Sequence, residues 1–259
     1  MASGPPSARP HFRPVDNGRR VGPRRYADAV PADPDPRAVR LAELVRGNAW
    51  MMRVLRTVRD AGIPDAWVGA GAVRDLVWGE LFGGGFEADA VRDVDVVFFD
   101  PADLGRDNDE RVEARLREAW AGVPWEAKNQ AAVHTWYARR FGGGPVAPLT
   151  SIADAVGTWP ETATAVAVRL GGDERIEICA PRGLGDLLGG VWRRNPRRVS
   201  AEVSRARLAR QRPSERWPGV RVATDWVRWH DDYADPRSWL SRRRLARDHL
   251  NSGRGRSCD

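Results

Sequence analysis

The chain has 259 residues, 42% hydrophobic and 30% charged, with a net charge of +7, which is enough apolar material for one well-buried domain or two small ones. No run of 18 apolar residues occurs and the start, Met1-Ala2-Ser3-Gly4-Pro5-Pro6, lacks an apolar leader core, so the chain reads as a soluble cytoplasmic protein with no membrane partner. Two cysteines, Cys179 and Cys258, exclude a disulfide framework and a zinc ribbon.

The charge is unevenly placed. Residues 1–40 balance to +4, residues 41–190 to −7 and residues 191–259 to +10. Arginine supplies nearly all of the positive charge, Lys128 being the one lysine. Basic ends either hold a polyanion or are solvated tails. Residues 1–36 are rich in proline and arginine and poor in apolar side chains, a composition that cannot offset its ordering entropy, and are read as a disordered tail.

From Ala38 to Ala61 apolar residues recur at three- and four-residue spacing, predicting one amphipathic helix that stops at Gly62. Ala66–Val68 reads as a short strand, Gly69-Ala70-Gly71 as a turn and Ala72–Trp78 as a helix. Residues 82–92 read as a flexible loop. Val91–Phe99 is a strand whose second half is apolar on both faces, which predicts an interior position in a sheet. Asp107–Ala121 is a helix with an acidic first turn. Thr164–Leu170 and Arg175–Cys179 alternate with period two around Gly171-Gly172-Asp173-Glu174, predicting a hairpin. A short helix or turn follows at 183–192, then an arginine-rich helix at 199–212 and a Trp- and Arg-containing extension.

Asp93-Val94-Asp95 carries the sharpest chemistry. Residues i and i+2 of a strand share a face, so the two carboxylates stand side by side and repel unless a proton or cation lies between them. Mg²⁺ takes one or two carboxylates plus substrate phosphates, which suits such a pair; two solvated aspartates at a strand end are the plain alternative. Gly69-Ala70-Gly71, about two dozen residues upstream, exposes backbone N–H groups at a helix start, an anion site for phosphates.

Val68-Gly69-Ala70-Gly71-Ala72-Val73-Arg74-Asp75-Leu76-Val77-Trp78-Gly79 resembles the Val-Gly-Gly-x-Val-Arg-Asp-x-Leu-Leu-Gly turn of CCA-adding and poly(A) polymerase head domains, with one residue inserted between the glycines. The wider run resembles a bacterial nucleotidyltransferase-like family of the DNA polymerase beta-type superfamily. The resemblance rests on residues 67–78, 93–100, 125–134, 159–164 and 180–187, within roughly residues 40–222.

The resemblance implies an α/β (α+β) polymerase beta-like fold, a mixed sheet flanked by helices, over a domain of residues 37–222, with residues 223–259 as a basic extension. It implies that Asp93 and Asp95 bind two Mg²⁺ ions together with a third carboxylate on a neighbouring strand. Glu177, between Ile176 and Ile178, fits that place, with Glu161 its competitor and an ordinary exposed strand glutamate the alternative. Gly69 or Gly71 lies against the triphosphate. Arg74 either meets phosphate charge or pairs with Asp75. The implied activity is Mg²⁺-dependent transfer of a nucleoside monophosphate from an NTP to an unidentified small-molecule, protein or RNA acceptor, releasing pyrophosphate. A template-independent RNA 3′-end transferase and an inactive nucleotide-binding scaffold are the alternatives.

Lys128, Asn129, Gln130 and His134 offer donors to phosphate, ribose or base, or else form a capped turn entering a helix. Asp100 reads as a cap or turn residue and Cys179 as a small packing residue. The arginines of 199–212 either track a phosphate backbone or form a solvated face, and Trp226, Trp229 and Trp239 either stack on bases or pack on the domain.

Overall fold

The computed structural model describes residues 35–142 and 144–223; most of the proline-rich stretch and the extension with Trp226, Trp229 and Trp239 lie outside the described residues. The single helix expected over 38–61 is two, α1 (Pro36–Arg46) and α2 (Ala49–Asp60). Gly47 ends the first, and the Asn48 side chain accepts the Met51 N–H at 2.9 Å to start the second. Such an asparagine cap contributes about 1 kcal/mol. Met51, Val54, Leu55 and Val58 of α2 are buried, each side chain stabilising the fold by roughly 1.5–3 kcal/mol.

Strand β1 (Trp67–Gly69) runs straight into α3 (Ala70–Phe82). Every residue from Ala72 to Gly79 is buried, so α3 is an enclosed helix. Trp192, Trp217 and Val220, from the C-terminal elements, join the same core, and the Trp217 ring packs edge-on to Trp78 at 5.2 Å. The segment expected as a plain loop contains a 3₁₀ turn at Ala88–Ala90 before β2 (Val94–Phe98). Then come α4 (Arg106–Ala119), β3 (Trp125–Asn129), α5 (Val133–Phe141) and α6 (Ile152–Val156). The expected hairpin is β4 (Ala167–Leu170) and β5 (Ile176–Cys179). It is followed by α7 (Gly185–Leu188), β6 (Val191–Trp192), α8 (Ala201–Gln211), α9 (Pro213–Arg216) and β7 (Arg221–Val222).

The main sheet has the order β3-β2-β1-β4-β5, and β6 pairs with β7 in a separate parallel ribbon. Strand β1 is antiparallel to both neighbours, while β2 and β3 are parallel with α4 as their crossover. As its two apolar faces predict, β2 is interior. Val68, Val94, Val96, Phe98, Trp125, Ala127 and Val168 turn one face of the sheet into the main core against the early helices. On the other face Trp67, Val97 and Ala167 pack with Ile152 and Val156 of α6. Asp95 alternates with Val94 and Val96 and belongs to this second, thinly covered face. Among the described residues no helix is long and apolar enough to cross a membrane.

Candidate active site

Asp95 lies one residue inside β2, opposite Gly69 of β1 on one side and Glu126 of β3 on the other. Because β2 and β3 run in register, Glu126 shares the Asp95 face on the neighbouring strand. Asp93 is exposed just before β2, and Asp95 is half-buried. Burial first, then the charges of Asp93 and Glu126, pushes the Asp95 carboxyl up to about 7; the Gly71 N–H, donating to it, and the Arg74 charge act the other way. A carboxylate held among other carboxylates is one whose charged form a bound hard cation would favour. Asp95 on β2 and Asp93 just before it provide hard oxygen donors, with phosphate oxygens and water left to complete a Mg²⁺ shell. The donor set therefore fits Mg²⁺. Among the described residues no three His, Cys, Asp or Glu side chains stand together so as to hold a metal ion, so the protein's own donors are the two aspartates, with Glu126 an acid on the adjoining strand.

The turn beside this pair is ordered differently from its sequence reading. Ala70 has φ 51°, the left-handed conformation that favours glycine. Gly69 is the last strand residue, and Ala70 and Gly71 are the first residues of α3, so the expected three-residue turn is a direct strand-to-helix junction. A Cβ at residue 71 would stand 3.3 Å from Asp93 Oδ1 and 3.9 Å from Asp95 Oδ2. Gly71 is thus the glycine against the acids. A Cβ at residue 69 would instead stand 2.5 Å from Cη2 of Trp159, whose ring backs the strand. The Ala70 N–H donates to Val166 O at 3.2 Å, so this N–H and that of Gly71 are both engaged within the protein.

Arg74 is buried and donates to Asp75 Oδ1 from Nε at 2.8 Å and Nη2 at 2.6 Å; Arg216 holds the other oxygen at 3.1 Å. The Asp75 pairing is therefore realised, with Arg74 still close enough for its charge to act on Asp95.

Three expected site residues stand away from the pair. Glu177 is on β5, three strands from β2 and so about 14 Å across the sheet. It accepts from Arg169 at 2.7 Å, and the same guanidinium bridges Asp65. Its strand is not a neighbour of β2, and its charge is already matched. Lys128, two residues along β3 from Glu126, donates to Ala127 O at 2.8 Å and lies 3.4 Å from Glu113 of α4. Asn129 is fully buried. Its amide donates to Asp100 O and Asp103 O, its oxygen accepts from the Asp100 and Ala131 N–H groups, and no hydrogen-bonding capacity is left for a nucleotide. It levels with Phe98, about 10 Å along the strand from Asp95. The capped turn is the reading realised here. Asp100 is a turn residue, accepting from the Ala102 N–H, and Cys179 packs in the smaller core with its thiol pushed up by burial.

Glu161, the competitor for the third carboxylate, is completely buried and forked by Arg207 of α8. Glu126 escaped the sequence reading, and Arg207 enters it only as one of the arginines of 199–212, with no link to Glu161. The alternation Trp125-Glu126-Ala127-Lys128 carries a signal for Glu126, since it sets the acid opposite two core residues. The Arg207–Glu161 pairing has none, because the two residues lie 46 apart in the chain.

A nucleotidyltransferase family model matches residues 56–222. A solved structure described as revealing a CCA-adding enzyme head domain is 31% identical, covers 71% of this chain and 95% of its own, and superposes with a TM-score of 0.60. A CCA-adding enzyme in complex with CTP is 16% identical, covering 83% of this chain and 47% of its own, with a TM-score of 0.42. A Thermotoga maritima CCA-adding enzyme complexed with tRNA is 15% identical over the same shares, with a TM-score of 0.42. No curated protein is significantly similar to the chain. The chain belongs to the nucleotidyltransferase family, and its mixed sheet flanked by helices is similar to that of the structure described as a CCA-adding enzyme head domain.

Proposed function

We propose that the protein transfers a nucleoside monophosphate from an NTP to an acceptor hydroxyl, releasing pyrophosphate, with Asp93 and Asp95 holding Mg²⁺ and Glu126 adding negative charge from the adjoining strand. The register of Asp95 between Gly69 and Glu126 carries this reading, since it gathers acids where no side chain of β1 intervenes. Bound there, Mg²⁺ supplies charge neutralisation for the polyphosphate and acidification of the acceptor hydroxyl. The protein's own part is positioning. The Gly71 N–H orients Asp95, the missing Cβ at 71 leaves room beside Asp93, and Trp159 fixes the strand behind them. Asp75 and Arg216 hold the Arg74 guanidinium in place next to the acids.

The test is incubation of the full chain with each labelled NTP and Mg²⁺, with and without cell extract, following pyrophosphate release and label transfer. Transfer that disappears in Asp93→Asn and Asp95→Asn supports the reading and reveals the acceptor class. Tight NTP binding with no turnover in any extract would instead support a nucleotide-binding scaffold, and label transfer unchanged in the double variant would overturn the metal pair.

A further inference from the structure

Behind the Gly turn lies a buried polar segment, Thr158–Thr164, tied down by the Asn195 amide, which donates to Gly157 O and Trp159 O at 2.8 Å each. Glu161, at its centre, is completely buried. Its two oxygens accept from Arg207 Nε at 2.6 Å and Nη2 at 3.0 Å, and one also accepts from the Thr164 hydroxyl at 3.2 Å. A carboxylate this deep is costly unless a cation is locked onto it, so the fork fixes Arg207 as firmly as Arg207 neutralises Glu161. The two ends of the pair differ in access. The Arg207 side chain keeps 27% exposure against 0% for Glu161, and its Nη1 has no partner among the described residues.

Position ties this guanidinium to the acids. Two residues before Glu161, the Trp159 ring presses on Gly69, which pairs with Asp95. Burial lowers the Arg207 pKa, but Glu161, and then the charges of Asp95 and Asp93, hold it above the ordinary arginine range. Arg207 bonds to neither aspartate. It is thus a cation beside the pair that does not occupy it. Meanwhile the Ala70 and Gly71 N–H groups, the donors a phosphate-gripping turn would offer, are engaged by Val166 O and Asp95, and the Arg74 side chain is only 6% exposed.

We propose that Arg207, presented by Glu161, binds the polyphosphate of the incoming nucleotide through its outward guanidinium edge. This rests on the nucleotidyl-transfer reading and adds a phosphate ligand from α8, outside the turn that resembles the family. A guanidinium already forked on a carboxylate loses little rotamer freedom on meeting phosphate, and its planar donors match phosphate oxygens.

The test compares binding of ATP, GTP, CTP and UTP with that of the four monophosphates, by calorimetry with Mg²⁺ on the full chain. Arg207→Ala strands a buried charge and threatens folding. The main probe is therefore Glu161→Gln with Arg207→Gln, which removes both charges and keeps an amide pair; Arg207→Lys is the second, and Arg210→Ala on the exposed side of α8 is the control. The expected result is a roughly ten- to hundredfold loss of triphosphate affinity in the double variant, with monophosphate affinity within about twofold. A smaller loss of the same selectivity is expected in Arg207→Lys and none in Arg210→Ala. If the double variant does not fold, Arg207→Lys decides alone. Unchanged triphosphate binding, or equal loss for both ligand classes, would make Arg207 a purely structural partner of Glu161. In that case the wild type still binds NTP and the transfer reading stands. A wild type that binds no NTP removes both.

Discussion

Asp95 and Glu177 lie on the same face of one sheet, each between apolar neighbours on its strand, and they have opposite surroundings. Glu177 faces Arg169 across the hairpin, and that guanidinium also holds Asp65. Asp95 faces Gly69, which has no side chain, and on its other flank faces Glu126, another acid. An apolar-acid-apolar pattern selects the face; strand order and the residue opposite decide whether the acid is neutralised or left to collect a cation. One end of the sheet is a closed ion-pair network, and the other is an anionic site.

The largest expected effect comes from removing the unmatched acid. Loss of a metal ligand forfeits several kcal/mol of transition-state stabilisation, so Asp95→Asn should lower transfer by about 10³-fold or more, measured as pyrophosphate release. The same change should raise the melting temperature of the metal-free protein at pH 8. The sign follows from proton binding: with its folded pKa raised from 3.8 to about 7, Asp95 holds its proton more tightly in the folded chain than in the unfolded one. Its favourable contribution is complete below pH 4 and drains away as pH rises through 7. Asp95→Asn should therefore be near neutral at pH 4 and stabilising at pH 8, and added Mg²⁺ at pH 8 should raise the wild-type melting temperature but not that of the variant. Next in size is Glu126→Gln, which removes the neighbouring-strand acid and should cost roughly 10²-fold in transfer. Transfer unaffected by Glu126→Gln would restrict the site to the Asp93–Asp95 pair.

How far these acids could be read from the sequence depends on the range of the interaction. The interior strand and the hairpin follow from local periodicity and stand in the structure within a few residues of their expected bounds, whereas the expected glycine turn is the direct junction of β1 and α3. The two-helix start was hidden because Gly47-Asn48 interrupts a continuous apolar stripe by two residues, which periodicity smooths over while capping chemistry does not. The apolar-acid-apolar pattern that points to Glu177 says nothing about strand order, which places β1 and β4 between it and β2. For Asn129 the sequence leaves open a nucleotide donor or a capped turn, because the carbonyls it serves, those of Asp100 and Asp103, are more than twenty residues away in the chain.

Glu177→Gln is the control that makes the comparison quantitative. The Arg169–Glu177 contact is partly exposed, and such pairs contribute about 0–1 kcal/mol, so a small fall in melting temperature is expected with transfer within about twofold of wild type. A hundredfold loss of transfer in Glu177→Gln would mean that the two ends of the sheet act together after all.

The smallest effect should come from the turn between them. Ala70 adopts φ 51° with a Cβ that this conformation disfavours by roughly 1–2 kcal/mol, while glycine there would give the unfolded chain extra entropy that opposes folding by about 0.5–1 kcal/mol. Ala70→Gly should therefore stabilise the fold by a net of up to about 1 kcal/mol in denaturant titration, without changing the slope. Because the Cβ is removed from the turn and nothing is added beside Asp93 or Asp95, transfer should stay near the wild-type level. Gly71→Ala makes the converse change at the next residue, setting a Cβ 3.3 Å from Asp93 Oδ1. If Ala70→Gly lowers transfer as much as Gly71→Ala does, the strained alanine is itself holding the geometry of the acids, and its left-handed backbone belongs to the site as well as to the fold.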